Sequence, residues 1–314
     1  MKKIIALAVA SAFTLPAFAA DVSVSGDVEF MLVDKTAAQE FDSGDQDVVV
    51  SASEELDNGT TVSVSLEMDG NEDGLTSDSK LTLSNGPVTF TIGDNASDAA
   101  IAMFDEKSDV AEQGGTSGDN ANSDLGGIST THTASLQIAP VEGLTLAASF
   151  STKKAVSAVT GTAGDNDDAS TVTKLQVDAA DHQEITSYAV QYSAMGLTVA
   201  FGAAEKEGDD DAAKSTSFSY SVGPFYAGVE KLSNVGFDGA KSVNNAGVSY
   251  DYGSGKVFFE SGKMDTGTAS TTVETDALGA SYKMGSVNMY VVSNQVTTGS
   301  TDDDQTIIGV EYSF

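Results

Sequence analysis

The chain has 314 residues, with 47 acidic residues against 15 lysines, no arginine and a formal charge of −32. So acidic a surface excludes nucleic acid as a partner, because phosphate contacts need basic side chains. The absence of cysteine removes any disulfide framework or thiolate metal site. High charge alone would suit a disordered chain, but 40% of the residues are hydrophobic and they fall in alternating runs, with 31 Gly and 4 Pro.

The first stretch reads as an export signal. Met1-Lys2-Lys3 is a positive start, Ile4 to Leu15 is an apolar run, and Ala17-Phe18-Ala19 is a small-x-small cleavage site. Residues 1–19 are therefore expected to be a signal peptide and residues 20–314 the mature domain. Cleavage would remove Lys2 and Lys3 and take the formal charge from −32 to −34. The apolar run is shorter than the roughly 20 residues of a membrane-spanning helix, and no later segment is long and apolar enough. Membrane insertion would have to be as a closed barrel, since helices and barrels alone satisfy the backbone in lipid.

Period-2 alternation begins at once. Val22, Val24, Val28, Phe30 and Leu32 share one face of a strand; Ser23, Ser25, Asp27 and Glu29 share the other. Residues 36–46 read as a polar loop. A second strand spans 47–56, with Glu54 breaking its apolar face, and Asp57-Asn58-Gly59 is a hairpin turn. A third strand spans 60–68. Residues 69–78 read as a loop whose Asp69-Gly-Asn-Glu-Asp-Gly74 imitates the start of an EF-hand. Lys80 stands at the twelfth position, where that motif needs Glu, so it is not one. Strands at 80–84 and 88–92 flank the turn Asn85-Gly86-Pro87.

A long segment rich in Gly, Asp, Ser and Ala follows at 93–130, with one apolar piece at 99–104. Loops of that length are seldom without a function. Strands then recur at 131–139, 143–152, 183–193, 197–204, 214–222, 225–232, 243–252, 256–263, 275–284, 286–294 and 305–314. The total is about 16. Short connections alternate with long ones throughout, as in outer-membrane barrels with short periplasmic turns and long external loops. Leu144, Leu146 and Phe150; Leu197, Val199 and Phe201; Phe218, Tyr220 and Val222; and Leu278 and Tyr282 are expected to face lipid. Strands 256–263 and 286–294 do not alternate decisively. Phe225, Tyr250, Tyr252, Tyr312 and Phe314 suit a periplasmic aromatic girdle or ordinary barrel packing.

Two stretches resemble the general diffusion porins of Gram-negative outer membranes. Leu83-Ser-Asn-Gly-Pro-Val-Thr-Phe-Thr-Ile-Gly-Asp94 is similar to the hairpin before their third external loop. The ending Gln305-Thr-Ile-Ile-Gly-Val-Glu-Tyr-Ser-Phe314 is similar to their closing strand, whose terminal Phe is part of an assembly signal. The Pro-Glu-Phe-Gly pattern of enteric members is missing. The resemblance implies an all-β, transmembrane antiparallel β-barrel in the outer membrane, with the third loop folded into the lumen. It also implies a homotrimer surrounded by lipid and lipopolysaccharide, passing small hydrophilic solutes and cations.

The candidate constriction residues are Asp94, Asp98, Asp105, Glu106, Asp109 and Glu112 on the third loop, which has Lys107 as its one base. Candidates on the inner wall are Asp27, Glu29, Glu67, Lys80, Glu230, Asp251, Lys283 and Glu311. Without arginine the chain cannot build the basic wall cluster that faces such acids in general porins, so a cation-preferring pore is expected. The alternatives are a substrate-specific channel, which would call for aromatic tracks or basic ladders, and a structural or adhesive acidic barrel. His132 and His182 come with no nucleophile motif, so no enzyme is expected. No cofactor is expected beyond divalent cations such as Ca2+ in the acidic clusters Asp165–Asp168, Asp209–Asp211 and Asp302–Asp304, whose other reading is a solvated surface.

Overall fold

Every alternating stretch becomes a strand, and the strands close on themselves. The computed structural model describes residues 21–35, 38–71, 74–93, 100–101, 132–153, 183–209, 211–234, 242–265 and 272–314. The export signal expected at 1–19 and His182 lie outside them. The strands are β1 (Asp21–Lys35), β2 (Ala38–Glu55), β3 (Thr61–Asn71), β4 (Gly74–Asn85), β5 (Val88–Gly93), β6 (His132–Val141), β7 (Leu144–Lys153) and β8 (Gln183–Ala194). They continue as β9 (Leu197–Lys206), β10 (Ala213–Val222), β11 (Phe225–Ser233), β12 (Ser242–Asp251), β13 (Lys256–Asp265), β14 (Thr272–Met284), β15 (Val287–Thr298) and β16 (Thr301–Ser313). Each pairs antiparallel with its chain neighbours, and β1 pairs with β16, so the barrel is closed and has no free edge.

Two expected loops are strands instead. Residues 38–46 belong to β2 and continue its ladder with β1, from Phe30↔Ser43 to Lys35↔Ala38. Residues 69–71 and 74–78 extend the β3–β4 hairpin, with Asn71 opposite Gly74. Both stretches are mostly polar in sequence, Phe41 and Leu75 apart, so they carry no alternation to read, yet backbone pairing does not need apolar side chains. The EF-hand-like stretch is thus mostly a strand pair.

The outward face is apolar where the alternation predicts. Leu146, Phe150, Phe201, Phe218, Tyr220, Val222, Leu278 and Tyr282 are all exposed on it. The short turns carry glycines at positive φ, among them Gly59, Gly86, Gly223 and Gly285, a conformation that costs glycine little. At the periplasmic end, Phe225 and Tyr250 pack at 4.8 Å and Tyr312 and Phe314 stack at 6.3 Å, all on the outward face.

The structure orients the two ambiguous strands. Val257 and Phe259 of β13 and Met289 and Val291 of β15 face out, while Phe258, Tyr290 and Val292 are buried inward. Those three join Met31, Val33, Ala277 and Ile307 in an apolar cluster on the inner wall. Both faces of β13 and β15 are apolar there, which is why their sequences lack clean alternation.

The closing seam is held on two levels. Gly26 N donates to Phe314 O at 3.1 Å and Phe314 N to Gly26 O at 2.9 Å. Above them, Tyr290 Oη donates to Glu29 Oε1 at 2.5 Å, across the intervening strand β16. Glu29 is 2% exposed, so its carboxyl needs such a partner to offset lost hydration. The ring of Tyr290 passes over Gly309, where a Cβ would overlap it, and Gly44 likewise leaves room for the Glu29 carboxyl. Gly309→Val should displace the ring and lose the bond, at a cost of about 1–3 kcal/mol. In SDS, unboiled wild-type protein should migrate apart from boiled protein, and the variant should lose the folded band at a lower temperature.

Candidate functional site

The lumen wall is built from the inward positions of the same strands. Across β4 to β8 these are small and hydroxylic. Thr82, Thr91, Ser135, Ser149 and Ser187 stand opposite one another in one row. Thr82 and Thr91 lie 3.3 Å apart, and Ser149 and Ser187 2.6 Å apart, through their hydroxyl oxygens. Neighbouring rows repeat the pattern, with Ser84–Thr89 at 3.3 Å and Thr133–Ser151 at 3.0 Å. Cross-strand hydroxyl pairs of this kind stabilise a sheet face modestly and keep it wettable.

The third loop meets this wall. Ala100 N donates to Ser149 Oγ at 2.9 Å, and Ile101 N donates to Ser187 Oγ at 3.3 Å. Both residues are fully buried. The Ile101 side chain packs among Ile185, Ala204, Ala213, Leu232 and Val243, with Met264 against them. These belong to the inward faces of β8 to β13. Gly202 makes the approach feasible, since a Cβ there would lie 2.8 Å from Ile101 Cγ1 and 3.2 Å from its Cα. The apolar piece expected at 99–104 thus has its described residues on the inner wall. Asp94, Asp98, Asp105, Glu106, Asp109 and Glu112 lie outside the described residues.

The wall candidates all fall on inward positions. Glu29 and Glu230 are buried, while Asp27, Glu67, Lys80 and Glu311 are half-buried and Asp251 and Lys283 are exposed. Glu67 stands opposite Asp78 and Lys80 opposite Ser65. They do not converge on one point. Glu311 and Lys283 line a polar recess of about 310 Å³ at the periplasmic end, with Asp251, Lys256 and Asn288. Asn288 Nδ2 donates to Glu311 Oε2 at 3.4 Å. Asp47, Lys256 and Glu260 are further inward charges; Glu260 is 7% exposed. Sequence reading missed Lys256 and Glu260 because β13 could not be oriented. The hydroxyl rows were visible as alternate Ser and Thr, but not as a docking surface for the loop.

Of the acidic clusters, Asp165–Asp168 lies outside the described residues. Asp209 is bridged to Lys206 at 2.8 Å. Asp302 to Asp304 lie along β16 and so alternate in facing, and Asp302 accepts from Thr297 Oγ1 at 2.8 Å. Among the described residues no group of three His, Asp or Glu could hold a metal ion. His132 is exposed at the start of β6.

Gly202→Val should push Ile101 off its seat. Ile101→Ala should weaken the same docking by about 2–4 kcal/mol, as for other buried aliphatic truncations. Both variants should show altered and noisier single-channel conductance in planar bilayers, with the heat-sensitive folded band retained.

A family model for Gram-negative porins matches residues 6–314. Two mutants of the Rhodopseudomonas blastica porin are similar in structure, each with a TM-score of 0.68, at 15% and 16% sequence identity. In both matches the alignment covers 94% of this chain and 100% of the other. A search of curated proteins finds no match. The closed barrel of sixteen strands is the architecture of those porins, and with the family match over almost the whole length it makes this chain a member of the Gram-negative porin family, a channel protein of the outer membrane.

Proposed function

We propose that the barrel is a water-filled, cation-preferring channel for passive diffusion of small hydrophilic solutes and ions. The observation that carries the reading is the seat of Ala100 and Ile101 on the inner wall. The sequence around that seat is dominated by acids, Asp94, Asp98, Asp105, Glu106, Asp109 and Glu112 against Lys107. The inward acids Asp27, Glu67, Asp251 and Glu311 add to that field, and Lys80, Lys256 and Lys283 oppose it. Lining charge at the narrowest section sets ion selectivity, and low-dielectric walls concentrate the field of like charges. With a screening length of about 10 Å at 0.1 M salt and about 3 Å at 1 M, the preference should be strong in dilute salt and fade toward molar salt.

The test is the reversal potential of the purified protein across a dilute KCl gradient. A cation-selective potential that shrinks as both sides are made more concentrated is expected, and Glu106→Gln with Asp109→Asn should reduce it. A potential near zero, or of anion-selective sign, would overturn the proposal.

Export and assembly belong to the same reading. The resemblance to porins implies a homotrimer and gives Phe314 a role as an assembly signal in addition to its seam contacts. Phe314→Ala should then lower the amount reaching the outer membrane at low expression, measured by surface labelling. Full surface abundance with only reduced heat stability would leave Phe314 a packing residue.

A further inference from the structure

We propose that the polar recess at the periplasmic end of the lumen binds short zwitterionic peptides, with Lys256 and Lys283 taking the carboxylate and Glu311 the ammonium group. All three side chains turn inward. Phe258, Ser281 and Tyr290 are buried on the inward face, and side chains alternate across a strand. Lys256, Lys283 and Asn288 each stand two residues from one of these and share their facing. Glu311 is paired with Asn288 and shares it too. Together they line the recess of about 310 Å³, a volume at the lower end of small-molecule sites. It is separate from the seat of the third loop. Val243 in the Ile101 pocket lies at the other end of β12 from Asp251, roughly 27 Å away at the strand rise.

The recess has two poles. Lys256 N donates to Ser281 Oγ at 3.4 Å, which sets Lys256 beside β14, and Lys283 follows two residues after Ser281. Diagonal neighbours of this kind lie roughly 7–8 Å apart, so the two lysines share one end of the recess. Lys256 Nζ lies 5.7 Å from the centroid of the Phe258 ring, which helps to seat the cation. Asp251, opposite Lys256, takes part of its charge, while Asp251 Oδ1 accepts from Gly253 N at 2.6 Å. At the other end, Glu311 accepts from Asn288 Nδ2 at 3.4 Å and from Ser313 Oγ at 3.3 Å. These contacts orient a carboxylate that offers about four acceptor positions. The ladder continues the acids beyond it, with Glu29 opposite Glu311, Asp27 opposite Ser313 and Asp47 opposite Asp27. Positive charge on β13 and β14 is thus divided from negative charge on β16, β1 and β2 by the neutral Asn288 of β15.

The spacing of the poles selects the ligand. Lys283 is paired with Asn288 and Asn288 with Glu311. Strands about 4.8 Å apart put Lys283 and Glu311 roughly 10 Å from each other, and side chains in strands stand roughly perpendicular to the sheet. A charge-assisted hydrogen bond takes about 2.8 Å at each end, which leaves about 4–5 Å between the two charges of the ligand. One extended residue spans about 3.5 Å and two span about 7 Å. An α-amino acid therefore falls short, whereas a dipeptide reaches both poles. A simple anion would meet the lysines alone, and a simple cation the acids alone.

The site takes its ligands from the solutes of the channel proposed above and requires no particular ion preference. Binding is read without current, so its failure and a failure of ion selectivity are separate results. The experiment titrates the detergent-solubilised folded protein with alanyl-alanine in a calorimeter. Parallel titrations use acetyl-alanyl-alanine, which lacks the ammonium group, alanyl-alanine amide, which lacks the carboxylate, and alanine. Alanyl-alanine should bind about two- to fivefold more tightly than either blocked form, as for partly exposed ion contacts, and more tightly than alanine. Lys256→Gln with Lys283→Gln should weaken binding of alanyl-alanine about three- to tenfold and leave that of the amide unchanged. Glu311→Gln should weaken alanyl-alanine about two- to fivefold and leave the acetyl form unchanged. The heat-sensitive folded band shows that the variants are intact, and the blocked forms test the wild type without any variant. Equal affinity of the wild type for blocked and unblocked dipeptides, or losses in the variants that do not follow the blocked group, would overturn the proposal. Alanine binding as tightly as alanyl-alanine would overturn the assignment to peptides.

Discussion

Closure of the backbone ladder is the constraint on which the rest of this structure depends. Inside a bilayer every N–H and C=O must find a protein partner, because lipid offers none. Sixteen antiparallel strands meet that demand only if the last strand finds the first. The β1–β16 register from Asp27↔Ser313 to Lys35↔Gln305 does so, and the Gly26 and Phe314 backbones extend it by one more pair. The glycines at the seam serve packing: Gly309 and Gly44 let Tyr290 and Glu29 meet over β16. That contact joins β15 to β1 from the lumen side and ties closure to a side-chain bond as well as to the backbone.

Closure also divides the side chains. One face must match lipid and the other surrounds the pore, so chemistry alternates at every residue. The inner wall is not uniform, however. From β4 to β8 it is a field of hydroxyls, on which the loop backbone at Ala100 and Ile101 finds its acceptors. From β13 round to β1 it carries an apolar cluster beside the buried carboxyls of Glu29 and Glu260. Between these sectors, β8 to β13 provide the pocket for Ile101. Ala100 and Ile101 are therefore held by two kinds of force on adjoining parts of one wall, directional hydrogen bonds and apolar burial.

Much of this architecture is legible in the pattern of side chains along the chain. Strands such as β10 and β16 alternate so cleanly that their lipid faces can be named residue by residue. Alternation fails where neither face has a preference. The polar stretch 38–46 reads as a loop although it is paired, because above the bilayer both faces are wet. Phe258 beside Phe259 and Tyr290 beside Val291 hide the orientation of β13 and β15, because there both faces are apolar. The serines that anchor the loop look like any inward small residue. Nothing local to Ser149 or Ser187 records a partner 49 or 86 residues away.

The amino-acid sequence by itself determined the barrel, its strand count and the face of most residues, because those depend on period, turn chemistry and the demands of lipid, all of them local. The tertiary structure decided what sits against what inside: Ile101 over Gly202 and Tyr290 over Gly309. These are contacts between residues far apart in the chain. They depend on the register of sixteen strands around a closed ring, and no short stretch of sequence contains that register.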